Sequence, residues 1–512
     1  MEICCTVTDV LTESFTTHAD RRTWAGLSVL MLPVLLVTIA HTSLYFALPV
    51  IATDLHPTAS VQLWLIDAYP LILCSLLVAG GNVGDRLGRR RTLILGMCGF
   101  ALSSLTAAFA PNAEFLLGAR IAMGVFGALI LPATHSLLRS MFEDRKQRRL
   151  AIAIWSTGFA AGAALGPMIG GALVQMFGWP AVFLPAVPFA AVLAVGAPLL
   201  ISESRDPDPG RLDLWSIVLS ALTLAPIVAA IKHAVDSGPD ATVWALFVLG
   251  ATAGTLFVRR MLTASNPMLD LRLLRRAGFS GAVLINLISV ATMTWFMFYA
   301  AQHLQLVAGL TPLRAAWILV PGAVANILAG LAVVRLVRFA RPATVMGTGL
   351  LFSAMAYSLI AVVGGDTTIT AICLVYVLVG IGIGSAETLT NDLMLANIPP
   401  EKAGSATAVS ETAYELGTVL GVTVLGGILT AAYRVTLDVP TTLDPGDAET
   451  ARDTLAGAVD TAGTLPDPTA STLVTASHTA FEAGAFMTSL VCAGLMFVTA
   501  LTAFTVLRRE SA

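Results

Sequence analysis

VQLWLIDAYPLILCSLLVAG, then GNVGDRLGRRR, then TLILGMCGFALSSLTAAFA: these stretches, residues 61–80, 81–91 and 92–110, decide the fold. Each outer stretch supplies the roughly 20 apolar residues that a helix needs to cross a bilayer core. The stretch between them is too polar to stay in lipid and contains enough glycine to turn sharply. The same alternation continues in both directions and gives fourteen spans, from residues 24–48 to residues 483–507. With 56% hydrophobic and 12% charged residues in 512, the chain has too little polar surface to cover a soluble globule, so lipid must cover it. The predicted fold is an all-α integral membrane protein.

Lys and Arg gather on the cytoplasmic side of membrane proteins. A cytoplasmic N-terminus puts 24 of the 29 basic residues inside or at the inner boundary. Lys232, Arg314, Arg434 and Arg452 then lie outside, and Arg120 lies within a span. Both termini are therefore expected in the cytoplasm, and the chain in the cytoplasmic membrane of a bacterium. The first twenty residues carry Glu2, Asp9, Glu13 and Asp20 with no basic region before an apolar stretch, so they do not read as a signal peptide. Cys4 and Cys5 fall in this tail and Cys74, Cys98, Cys373 and Cys492 fall in spans, which argues against a disulfide framework. The expected organisation is a tail at 1–23, a six-helix bundle at 24–205, two linking helices at 206–260, and a second six-helix bundle at 261–512. The second bundle carries a long outer loop at 433–482.

An internal echo supports two related bundles. Span five has Gly162-x-x-x-Gly166-Pro167-x-x-Gly170-Gly171, and span thirteen has Gly417-x-x-x-Gly421 followed by Gly426-Gly427. Small residues four apart let helices approach closely, so packing explains at least part of both runs. No phosphate-binding glycine loop, metal-ligand cluster or nucleophile elbow occurs. An enzyme and an ATP-driven pump are disfavoured, and an ion gradient with no cofactor is expected to drive the protein. Nothing in the sequence points to nucleic acid or to an obligate protein partner.

The connector Gly81-x-x-x-Asp85-Arg86-x-Gly88-Arg89 places a carboxylate beside guanidinium groups at a helix junction. It reads either as plain inside-positive anchoring or as a charge network that breaks and reforms as helices move. It resembles the signature between helices two and three of the major facilitator superfamily. Arg120 with Gly124 and Gly127 resembles that family's helix-four motif, and Gly166-Pro167-x-x-Gly170-Gly171 its antiporter motif. The resemblance, with fourteen spans, implies the drug:proton antiporter branch: an exporter of lipophilic, often cationic, small molecules such as dyes, quaternary ammonium compounds and fluoroquinolone-like drugs, driven by protons.

Ionisable side chains inside a span cost about 2.5–3.5 kcal/mol each on an insertion scale, so each calls for a reason. Asp67 in span two and Arg120 in span four are at similar depth. They either neutralise one another or form a pair that opens when Asp67 takes a proton. Glu411 and Glu415 are four apart, on one helical face, where they can hold a proton or a cation but not both cheaply. They are the expected coupling pair. Glu387 is a candidate on the substrate path, and Asp392 reads equally well as solvated.

The resemblance also implies an Asp in span one, nine residues before the Pro of Ala47-Leu48-Pro49, but the chain has Ala40 there. Either His41 takes part of that role, or coupling rests on Asp67 with the span-thirteen pair, or coupling is impaired. Tyr45, Tyr69, Phe296 and Tyr299 are nominated as an aromatic lining for flat cations, against the alternative that they face lipid. Two other readings remain open at this stage: a dedicated exporter of one natural product or lipid, and a non-transporting membrane sensor.

Overall fold

The computed structural model describes residues 20–142, 144–206, 213–264, 269–364, 368–396 and 403–505. Cys4, Cys5 and residues 1–19 of the expected tail lie outside them. Polar side chains at the span boundaries accept hydrogen bonds from otherwise unpaired backbone N–H groups at helix starts. Asp20, Thr58, Asn112, Asp144, Asp213, Asp240 and Thr311 all cap in this way.

Fourteen helical spans form among the described residues. The first is interrupted at Ser43 and consists of α1 (Arg21–Thr42) and α2 (Leu44–Leu55). It is followed by α3 (Ala59–Leu87), α4 (Arg89–Ala108), α5 (Ala113–Met141), α6 (Arg145–Phe177) and α7 (Ala186–Leu200). The linking pair is α8 (Leu214–Ser237) and α9 (Ala241–Thr263). The second half begins with α10 (Ala277–Gln302), α11 (Pro312–Leu336), α12 (Pro342–Val363) and α13 (Ile369–Ala396). Its next span is α14 (Ala403–Leu420), a π-helical segment (Gly421–Gly426) and α15 (Gly427–Thr436). Short helices α16 (Pro445–Asp453) and α17 (Leu455–Thr464) precede the last span, α18 (Thr469–Thr505).

In the first half, α3 and α4 pack on α5, α4 on α7, and α1 on α6; in the second, α11 and α12 pack on α13, α12 on α18, and α10 on α14. The halves meet where α6 touches α11, α3 touches α14 and α2 touches α10. The linking helices differ from one another. α8 packs on α3 and α15, whereas α9 packs mainly on α8 and buries only Gly250, Ala253 and Met261. Asp213 and Arg260 clasp the pair at one end, 2.8 Å apart. The hydrogen bond from Arg260 holds the Asp213 carboxyl below the usual carboxylate range.

Two features correct the sequence reading. The expected outer loop at 433–482, whose sequence allows short helices, holds α16 and α17, but its end belongs to the last helix, since α18 begins at Thr469. The first turns of α18 are rich in Thr, Ser and Ala and give no apolar run, and packing against α15 and α17 supports helix there despite the low propensity of Thr and Ser. Lys232, expected outside, is a buried residue of α8, whose helix continues past it. The end of the bundle bearing the 81–91 connector is called the connector end below, and the end bearing α16 and α17 the cap end.

Candidate functional site

The connector Gly88 has φ +102°, a conformation that favours glycine, and an added Cβ would lie 2.7 Å from the Glu203 carboxylate. Asp85 pairs with Arg89 at 2.9 Å, since residues four apart face each other when the helical path resumes across the junction. Arg89 also bonds Ser204 through its backbone and side chain, and Glu203 accepts from the Arg90 backbone N–H at 3.0 Å. The connector is thus clasped to the segment following α7. Arg86 is half-buried in the last turn of α3. Gly81 has ordinary room for a Cβ; the close approach is at its neighbour Gly80, against the Ala128 carbonyl.

The glycine run of α6 is a packing surface. Cβ atoms at Gly162 and Gly166 would meet Thr38 and Thr42 of α1, and one at Gly170 would lie 2.6 Å from Ser43 Cβ. One at Gly171 would lie 2.7 Å from the Pro312 carbonyl of α11. Pro167 lies inside α6 between these contacts. Gly417 and Gly421 hold α14 against Leu287 and Ala291 of α10 in the same manner, so the echo between spans five and thirteen is a repeated helix crossing.

Asp67 is 0% exposed and does not pair with Arg120 as the sequence suggested. Its partner is Lys232 Nζ at 2.8 Å, itself 1% exposed, and Thr423 of the π-helical segment donates a hydrogen bond to it at 2.6 Å. Lys232 Nζ also lies over the Trp64 ring, 4.4 Å from its centroid. Arg120 instead donates to the Leu65 carbonyl at 3.0 Å and the Ile66 carbonyl at 3.4 Å, with its guanidinium 4.9 Å from the Tyr69 ring centroid. The physical reason is Pro70. Lacking an N–H, it leaves the Ile66 carbonyl without a helical donor, and a guanidinium supplies one inside the bundle.

Glu415 is 6% exposed and Glu411 half-buried, and both face the first half of the molecule. Glu415 lies within electrostatic reach of Tyr45, Tyr69 and Cys74, and Cys74 Sγ is 3.6 Å from the Thr412 carbonyl between the two acids. Arg139 of α5 is the cation near Glu411. Phe159 of α6 meets Tyr414 edge-on at 5.7 Å. Asp67, Glu411, Glu415, Tyr45 and Tyr69 are therefore brought to one interface between the halves. His41 joins them, its ring 6.0 Å from Tyr69 and 6.2 Å from Tyr45, while neighbouring Ala40 packs half-buried against the core.

The other candidates sit deeper in the second half. Tyr299 stacks between Trp295 and Phe481, Phe296 stacks on Tyr376 at 5.3 Å, and half-buried Glu387 is within reach of Tyr376 and Tyr414. Asp392 is exposed. A third buried acid, Glu482 of α18, lies 2.5 Å from His303 Nδ1, which begins a π-helical segment after α10.

Sequence reasoning missed Lys232, Trp64, Thr423 and the His303–Glu482 pair. The first had a signal: the apolar run of span seven resumes after Lys232 and His233 with Ala234 and Val235, so the helix continues. Glu482 had none, because it stood in the presumed loop.

Residues 30–422 match the sequence profile of the Major Facilitator Superfamily. The chain is 47% identical over 494 residues to the multidrug efflux pump LfrA of Mycolicibacterium smegmatis, covering 96% of this chain and 98% of the relative. It is 30% identical to the methyl viologen resistance protein SmvA of Salmonella typhimurium, covering 90% and 93%. Its fold is similar to an inward-facing crystal structure of a bacterial homologue of the human lysosomal transporter Spinster. There the TM-score is 0.67 at 17% identity, covering 96% of this chain and 99% of that one.

Proposed function

This chain belongs to the Major Facilitator Superfamily and is a transporter rather than an enzyme; we propose that it is a proton-coupled antiporter exporting lipophilic, often cationic, drugs across the bacterial cytoplasmic membrane. The observation that carries the reading is the position of Glu411 and Glu415 at the interface between the halves, with buried Glu415 within electrostatic reach of Tyr45, Tyr69 and Cys74 and half-buried Glu411 near Arg139. Carboxylates at such a seam exchange a proton for an organic cation when the halves rock, because one site cannot hold both cheaply. Aromatic faces beside them add cation–π attraction for flat cations. Lipid surrounds the bundle, and the connector end, with its basic residues, faces the cytoplasm together with both termini.

In this reading, residues 24–205 and 261–512 are the rocking halves, 206–260 links them, and the crossings at Gly162, Gly166, Gly170 and Gly171 are the surfaces on which they pivot. The Asp85–Arg89 clasp holds the connector end in one state and is remade in the other. The missing span-one acid at Ala40 shifts coupling to the α14 pair and Asp67. The likeness to a methyl viologen resistance protein supports the cation preference, since methyl viologen is a doubly quaternised aromatic cation.

The test is ethidium uptake into inverted vesicles under an inside-acid gradient, with Ala40 and with Ala40→Asp. Uptake that collapses when the gradient is dissipated, at equal rates in both forms, is the expected result. No uptake by either form overturns the reading in favour of a dedicated exporter or a sensor. Rescue by Asp alone moves the coupling site back to span one.

A further inference from the structure

Lys232 occupies a built pocket. Its ammonium lies 2.8 Å from the Asp67 carboxylate and 4.4 Å from the centroid of the Trp64 ring, within a wall that includes the Thr423 hydroxyl bonded to the same carboxylate. A buried carboxylate beside an aromatic face is the chemistry that recognises an organic ammonium ion. The pocket is assembled from three parts of the molecule: α3 of the first half, the π-helical segment of the second, and linking helix α8. An extra residue in a helical turn breaks the regular path of the helix, as happens frequently at functional sites, and here it presents Thr423 to Asp67.

We infer that the Asp67–Trp64–Thr423 pocket is an organic-ammonium site whose resting occupant is the chain's own Lys232, a tethered ammonium that a cationic substrate must displace. Electrostatics supports displacement over simple neutralisation. The Thr423 hydroxyl donates to Asp67 and the Arg120 guanidinium lies within electrostatic reach of it, so the carboxylate keeps partners after the lysine leaves. Lys232 also lies on a linking helix that packs on both halves, so a change in their relative position acts on its hold on Asp67. The inference deepens the export reading and rests on it for the identity of the displacing cation.

Chemical rescue tests the site without transport. In purified Lys232→Ala, n-butylammonium chloride at millimolar concentration is expected to raise the thermal midpoint saturably. No such rise is expected in the wild type, where the site is filled, or in Asp67→Asn/Lys232→Ala, where the carboxylate is gone. A folded Lys232→Ala protein with no rise, or an equal rise in the double variant, overturns the inference.

Lys232→Arg covers the case in which Lys232→Ala does not fold. It keeps the ion pair and grips the carboxylate with a planar fork, so ethidium binding should weaken roughly tenfold; an unchanged Kd overturns the inference. Ethidium binding by no form, alongside butylammonium rescue, sinks the export of organic cations and leaves the ammonium site standing.

Discussion

Among the described residues, two clusters that set a buried acid against a basic side chain sit beside π-helical segments, and they differ in what they join. Asp67, Lys232 and Thr423 tie the first half, a linking helix and the second half together. His303 and Glu482 join α10 to α18 within the second half alone, with Tyr299 stacked on Phe481 beside them. A pair inside one rigid unit survives any rocking of the halves, whereas a pair across the seam must break or follow. In the proposed rocking, the position of a buried acid relative to the boundary between the halves thus matters as much as its burial.

The sharpest way to break this comparison is to neutralise one acid in each cluster. Asp67→Asn leaves the Lys232 ammonium buried without its carboxylate, a change that costs about 3–5 kcal/mol in buried pairs. Transport should be lost and the thermal midpoint in detergent should fall. Glu482→Gln keeps an acceptor for the imidazole, so a loss of about 1–3 kcal/mol is expected with proton-driven ethidium uptake retained. If uptake fails in Glu482→Gln as completely as in Asp67→Asn, the distinction between seam and interior is wrong.

Glu411→Gln and Glu415→Gln come next. Substrate-dependent proton release, followed with a pH indicator, should fall sharply in at least one of them while ethidium still binds. Undiminished release in both removes the pair from the coupling step.

A smaller effect is expected at the helix crossings. Gly171→Ala would push a methyl group toward the Pro312 carbonyl where the halves touch, and overpacking of this kind costs about 1–3 kcal/mol. Gly118→Ala, where nothing lies within 4 Å of the added Cβ, serves as the control. A thermal midpoint that falls only for Gly171→Ala would locate the tight crossing. Equal midpoints would mean that α6 and α11 separate freely.

Most of the architecture was legible because membrane spans are declared by composition over a long window, and one substituted residue barely changes that signal. Glu411 and Glu415 were legible for a related reason: a spacing of four fixes a common face whatever surrounds it. Pairings between spans were not legible. Asp67 had one cation within a span to pair with in sequence, Arg120, and the true partner, Lys232, depended on the carbonyl freed by Pro70 and on how far α8 extends. Glu482 was hidden because the start of α18 is Thr- and Ser-rich, so helix formation there depends on packing against α15 and α17. The aromatic nominations divided for the same reason. Tyr45 and Tyr69 reached the seam, while Tyr299 went into the stack of the second half.

The unequal packing of the two linking helices bears on how a fourteen-span carrier relates to a twelve-span one. α9, which buries three residues, resembles a removable insertion; α8 touches both halves and contributes a side chain to the interior. Excising residues 206–260 and joining the halves directly would therefore not leave a self-sufficient twelve-span machine. It would strip the remaining protein of an internal part, and Asp67 would have to be replaced as well for the shortened chain to bury no unpartnered acid.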